Sequence, residues 1–193
     1  MSEYPLVQDY VAREMAWHEL MPFLRQHRDA VFGDTWSADT ASLLSEEERA
    51  AQEKLGALMA SAYRLTVGIF RGDTLVGWSF GVQQSREHYY MINSGILPEH
   101  QAKDLHGASP GDSVASRARG FQVITSRHVV TNNRVIIPKL RAGFVITGCE
   151  VTDHFGTLVL LAYFTNPKRR ALYDVRAGQA RPEGEVRRSL GLE

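Results

Sequence analysis

Tyr89-Tyr90-Met91-Ile92-Asn93-Ser94-Gly95-Ile96, continued by Leu97-Pro98-Glu99-His100-Gln101-Ala102-Lys103 and answered further on by Asn132 and Gly143-Phe144, is the stretch whose reading decides the fold. Its first eight residues are rich in aromatic and β-branched side chains and read as a strand, followed by Leu97-Pro98. Upstream, the apolar period is two. Leu65, Val67 and Ile69 alternate with Thr66, Gly68 and Phe70; Gly72-Asp73 supplies a tight turn; Val76, Trp78, Phe80 and Val82 then alternate with small residues. With the polar turn Gln84-Ser85-Arg86-Glu87, this predicts an antiparallel meander of three strands ending at Ile96.

Downstream, residues 121–129 read as a fourth strand. Residues 133–142 read as a short helix closed by Gly143, although Pro138 sits inside it. Residues 145–151 and 157–164 form a second hairpin around Asp153-His154-Phe155-Gly156. Toward the N-terminus, Ser45-Glu46-Glu47-Glu48 is a capping box, and Leu55, Leu58, Met59 and Ala62 make a stripe at i, i+3, i+4 and i+7, predicting an amphipathic helix over 46–61. Trp17, Leu20, Met21, Leu24 and Val31 have helical spacing, with Pro22 predicting a kinked or late-starting helix. A short strand is expected over 7–13 and a loop over 33–40.

At 193 residues with 44% hydrophobic and 23% charged, the chain suits one globular domain. Its 22 basic and 22 acidic residues cancel, which argues against nucleic acid or an anionic membrane as the main partner. The single cysteine, Cys149, forms no internal disulfide and suits a reducing compartment. No apolar run approaches the ~18 residues of a membrane span, and no signal segment is visible. A cytoplasmic protein is expected, with a domain over 1–167 and a charged, partly disordered tail over 168–193.

The order helix, helix, three strands, helical slot, strand, helix, strand pair resembles the GNAT-type N-acetyltransferase superfamily over about residues 15–165. In that superfamily a strand ends in aliphatic-x-Pro-x-x-Arg/Gln-x-x-Gly-x-Gly/Ala, and Ile96 to Lys103 matches its first part. Asn132 followed by Gly143-Phe144 matches the closing asparagine-helix-Gly-Phe element. The resemblance implies an α+β fold (α/β by some schemes), with a mixed, mostly antiparallel central sheet flanked by helices. It also implies acetyl-CoA as co-substrate, its pyrophosphate on the turn after the strand and its thioester in a splay beside Ile96. Ile96, Leu97, Gln101, Ala102, Lys103 and Asn132 are the implied coenzyme contacts, a backbone amide near Ile96 or Leu97 polarising the carbonyl. Asn132 is equally good as a helix N-cap.

Where the pattern has Gly-x-Gly/Ala, this chain has Asp104-Leu105-His106, whose side chains occupy space a phosphate would need, and Asp104 adds repulsion. Pro110-Gly111 makes 104–119 a poor helix. Read one base later, suitable codons for residues 104–114 spell Thr-Tyr-Thr-Ala-Leu-Leu-Pro-Ala-Ile-Val-Ser. The hypothesis is a compensated frameshift, and codons that forbid the second reading would refute it.

Transfer to an amine with pKa ~10 calls for a base. His128 is one candidate, or else a histidine bonded within the sheet; Glu99, acting through water, is another, or else a solvated carboxylate. Many members of the superfamily place a tyrosine four residues before Gly-Phe to protonate the departing thiolate, and this chain has Lys139 there. His100 and His106 lack a third ligand at a matching spacing, so no metal is expected. The expected activity is N-acetyl transfer to a small-molecule or peptide amine. The alternative is a non-catalytic acyl-CoA-binding or interaction domain. The edge of the last hairpin permits a homodimer.

Overall fold

Within residues 3–6, 9–33, 39–101 and 119–192, which the computed structural model describes, eight strands join in one sheet. They are β1 (Glu3–Pro5), β2 (Tyr10–Glu14), β3 (Arg64–Arg71), β4 (Thr74–Gln83), β5 (His88–Ile96), β6 (Val123–Val129), β7 (Val145–Thr152) and β8 (Gly156–Phe164), in spatial order β1-β2-β3-β4-β5-β6-β8-β7. Every neighbouring pair is antiparallel except β5 with β6. This is the mixed, mostly antiparallel α+β architecture expected from the sequence.

Register explains the two layers that cover the sheet. Phe80 opposes Asn93 and Trp78 opposes Gly95, whereas Ser79 opposes Ser94 and Gly81 opposes Met91. Alternate residues point to opposite faces, so Trp78 and Phe80 share one face while Met91 lies on the other. Helix α1 (Trp17–Phe32) covers the first: Trp17 meets Phe80 edge-on at 4.9 Å, and Phe23 and Phe32 each meet Trp78 at 6.0 Å. Helix α3 (Asn133–Arg141) belongs to the second, where Ile136 and Phe144 join Tyr89, Met91, Ile124 and Leu161 in the main core. Gly81 is required by close approach, since a Cβ there would collide with the Tyr90 carbonyl. Gly143 closes α3 at φ 98°, a conformation that glycine adopts without strain.

Three local features go beyond what the sequence alone indicated. Helix α1 begins at Trp17, ahead of Pro22, and continues through it. Helix α2 (Glu46–Leu58) has the expected box, Glu48 N–H donating to Ser45 Oγ at 3.2 Å and Ser45 N–H to Glu48 Oε2 at 2.8 Å. Those amide contacts hold the Glu48 carboxyl below its usual range. Its stripe, however, does not pack: Leu55, Leu58 and Met59 are 63%, 77% and 68% exposed. The charged C-terminal stretch carries helices α4 (Pro167–Arg176) and α5 (Gly184–Ser189) where disorder was expected. Asn166 caps α4 and Pro167 starts it; Arg169 pairs with Glu87 at 2.9 Å and the Tyr173 hydroxyl donates to the Ile146 carbonyl, tying the helix to the sheet.

Candidate functional site

Strands β5 and β6 are bonded over four residue pairs only, from His88–Val123 to Met91–Ser126. Beyond Met91 they part, five residues earlier than the sequence reading placed the splay. The cause lies on the other edge of β5, where pairing with β4 jumps from Phe80–Asn93 to Gly81–Met91 and leaves Ile92 as an extra residue. A bulge of this kind bends its strand and increases the local twist, turning the end of β5 away from β6.

Backbone accounting shows what the fork exposes. Alternate residues of an antiparallel strand bond to one neighbour while the intervening ones face the other way. Leu97 N–H donates to the Val76 carbonyl at 2.9 Å, so Gly95 and Leu97 address β4. Ser94 and Ile96 therefore turn their N–H and C=O groups toward β6, after the β5–β6 pairing has stopped. Of the two amides expected near the thioester, that of Leu97 is occupied and that of Ile96 faces the opening. The Ile96 carbonyl accepts from Gln101 Nε2 at 2.9 Å, which fixes the turn over Pro98–His100 to the strand end.

The fork encloses a cavity of about 320 Å³ that reaches from α1 (Arg28, Phe32) through the sheet to α3 (Val135, Lys139). Trp78 forms part of its wall and is fixed by Nε1 donating to Asn93 Oδ1 at 2.7 Å. The charged residues of its described lining are Arg28, Arg127, Arg134 and Lys139, with no carboxylate among them. Arg127 is offset by Glu150 at 3.2 Å and stacks over Tyr90, whose phenol is pushed up by burial. This lining favours an anionic ligand.

The expected site residues divide. Ile96, Gln101, Asn132 and His128 line the cavity together; Leu97 and Glu99 do not, and Glu99 is exposed on the turn. Ala102, Lys103, Asp104, His106 and the rest of the altered segment to residue 118 lie outside the described residues. Asn132 occupies the N-cap position of α3 without a side-chain capping bond and lines the opening. Trp17 packs on Phe80 and lies outside the lining. His100 is held by the Tyr10 hydroxyl at 2.9 Å, and no group of three metal-ligating side chains occurs among the described residues.

His128 Nε2 lies 3.1 Å from Ser126 Oγ. Burial, reinforced by the charge of Lys139, pushes the imidazole down to about 3, so it is neutral at physiological pH and a poor proton acceptor. That is the physical difficulty with a general-base role for it. Lys139 is only 4% exposed; its Nζ donates to Ser126 Oγ at 3.0 Å and lies 3.4 Å from Met91 Sδ and 4.7 Å from the centre of the Phe144 ring. Its burial was legible from spacing, since Lys139 follows Ile136 by three residues on the same helical stripe. Ser126, Arg127 and Phe155 carried no comparable signal, because only the closing of β6 against β8 and the final hairpin brings them to the fork.

No protein-family model matches the chain, and no curated protein matches it. Solved structures do. A ribosomal-protein-S18-alanine N-acetyltransferase from Escherichia coli superposes with a TM-score of 0.59 at 13% identity, over 81% of this chain and 94% of that one. A ribosomal L7/L12 alpha-N-protein acetyltransferase solved with coenzyme A gives 0.61 at 15% identity, over 84% and 98%. A spermidine N-acetyltransferase from Vibrio cholerae, solved with coenzyme A and spermine, gives 0.54 at 12%, over 81% and 96%. The chain has the GNAT fold.

No described helix is long and apolar enough to cross a membrane.

Proposed function

We propose that the protein transfers an acetyl group from acetyl-CoA to an amine, by direct attack in a ternary complex. One observation carries this reading: the edge of β5 beyond Met91 is unpaired and borders a cavity on both faces of the sheet. An extended, amide-bearing arm such as that of coenzyme A fits there as a surrogate strand against Ser94 and Ile96, with Gln101 and Asn132 near its phosphates. The Ile96 amide faces the opening as a hydrogen-bond donor to that arm. Coenzyme A or acetyl-CoA in structural neighbours, and acceptors named there as a ribosomal-protein alanine and spermidine, support an amine acceptor.

His128 at about 3 is far too weak to deprotonate an amine of pKa ~10. In this reading the acceptor enters as the free amine, and kcat/KM rises tenfold per pH unit below the acceptor's own pKa. The alternative, a non-catalytic coenzyme-binding or interaction domain, is favoured by that weak base and by Asp104 and His106 standing in the sequence where the superfamily's pattern has Gly-x-Gly/Ala. Calorimetric titration with acetyl-CoA separates them: binding followed by thiol release supports transfer, binding without turnover supports a coenzyme-binding domain, and neither heat nor a thermal shift at millimolar ligand leaves an interaction domain.

A further inference from the structure

On the acetyl-transfer reading above, we propose that Lys139, Ser126 and His128 form a proton relay at the base of the fork, through which the Lys139 ammonium supplies the proton taken up by the departing thiolate of coenzyme A.

The direction of the relay follows from donor chemistry. An ammonium has protons to give and no lone pair, so across the 3.0 Å contact Lys139 Nζ donates and Ser126 Oγ accepts. Ser126 is 2% exposed, and a buried hydroxyl proton needs an acceptor. His128 Nε2, at 3.1 Å, is that acceptor. The ring then carries its own proton on Nδ1, which makes no hydrogen bond to the described residues, and His128 lines the cavity. The tautomer is thus set by the network, and the histidine offers the opening a donor.

Its position suits the reacting end of the ligand. Ser126 belongs to the last bonded pair of β5 and β6, and His128 stands two residues further along the same bank of the fork. An arm lying along β5 from Ile96 back to Met91 spans five residues, roughly 17 Å of strand, and brings its terminal thioester to this point.

The transfer balances as follows. As the tetrahedral adduct collapses, the C–S bond breaks and its electron pair stays on sulfur. The Nδ1 proton of His128 passes to sulfur, the Ser126 hydroxyl proton passes to Nε2, and one Lys139 proton passes to Ser126 Oγ. The products are the thiol, a neutral lysine and a neutral imidazole of the opposite tautomer. The proton lost by the attacking amine goes to solvent. A solvent proton returning at Nδ1 drives the three steps backward and restores the ammonium. A neutral ring is what a relay requires, accepting at one nitrogen as it gives at the other. The charged and titratable groups around it are Lys139 on α3, Tyr90 on β5, Arg127 on β6 with Glu150 on β7, and Arg28 and Arg134 at the rim.

The relay is tested first without any reaction. Nitrogen-15 NMR of the free protein is expected to show His128 protonated at Nδ1 and bare at Nε2, with no titration between pH 8 and about pH 4, and a titration displaced upward in Lys139→Met. A ring protonated at Nε2, or one titrating near its ordinary value, overturns the relay whether or not the protein transfers acetyl groups. Second, coenzyme A is titrated calorimetrically into wild type, Lys139→Met and Ser126→Ala, and thiol release from acetyl-CoA is followed with hydroxylamine as a small nucleophile. Expected are affinities within about threefold of one another and release slowed about 10²- to 10⁴-fold in both variants, the range of general-acid contributions. Normal release by Ser126→Ala beside slow release by Lys139→Met overturns the relay and leaves transfer intact. If Lys139→Met does not fold, Ser126→Ala alone decides. No release by wild type with coenzyme bound removes the transfer reading and the relay's use with it.

Discussion

Helix α2 and the β5–β6 fork are opposites. In α2 the sequence announces every local feature, with Ser45 and Glu48 capping reciprocally and an apolar stripe at helical spacing, yet the helix has no buried residue. At the fork, nothing in the period-two pattern of residues 89–96 marks where pairing stops, yet the strand residues Tyr89 and Met91 are 0% and 4% exposed and a lysine is buried beside them. Local signals determine that a segment is helical; they do not determine what it touches. Conversely, a strand can be correct in every residue while its one functional property is the absence of a neighbour over half its length.

The sharpest way to break the contrast is at Trp78, which is 0% exposed and joins α1 to the wall of the fork. Trp78→Ala is expected to destabilise the fold by about 3 to 5 kcal/mol in denaturant unfolding; a loss below 1 kcal/mol would mean that α1 is not docked on the sheet. Next comes acidification. The folded-state value of His128 is depressed to about 3 from 6.5, so between those values the unfolded chain binds a proton that the folded one refuses. Stability is therefore complete above pH 6.5 and declines below it at up to about 1.4 kcal/mol per pH unit, roughly 2 kcal/mol by pH 5 from this group alone. Urea midpoints measured against pH for wild type and His128→Asn check it, and parallel curves would place the acid sensitivity elsewhere.

Smaller effects belong to α2. Ser45→Ala removes the side chain that accepts from Glu48 N–H and is expected to cost about 1 kcal/mol, read as lost helical circular dichroism and a lower midpoint. Leu58→Ser, at a site 77% exposed, is expected to move stability by no more than about 0.5 kcal/mol. If it costs 2 kcal/mol or more, the stripe is covered in solution, and analytical ultracentrifugation across concentration shows whether a second copy covers it.

How much was legible follows the same division. The meander, the fourth strand, α3 and the last hairpin were all readable, because each is encoded by neighbours within about ten residues. Gln101 and Asn132, which the family resemblance implied as coenzyme contacts, both line the cavity. Glu99, three residues beyond the end of β5, is exposed on the turn and outside the cavity lining, since the turn and not the strand sets its direction. In the tail, composition reports charge and not the long-range ties of Arg169 to Glu87 and Tyr173 to Ile146.

By itself, the sequence determined which segments are strands and which are helices, where the turns fall, and that Lys139 shares a stripe with Ile136. Those are consequences of periodicity, capping and glycine or proline chemistry, all local. Only the tertiary structure decided that β5 leaves β6 after Met91, that the Ile96 amide rather than that of Leu97 faces the gap, and that Lys139, Ser126 and His128 meet there. Each of these depends on a bulge opposite β4 and on partners 13 to 48 residues distant in the chain, and pairing over such separations is settled by packing the whole sheet at once.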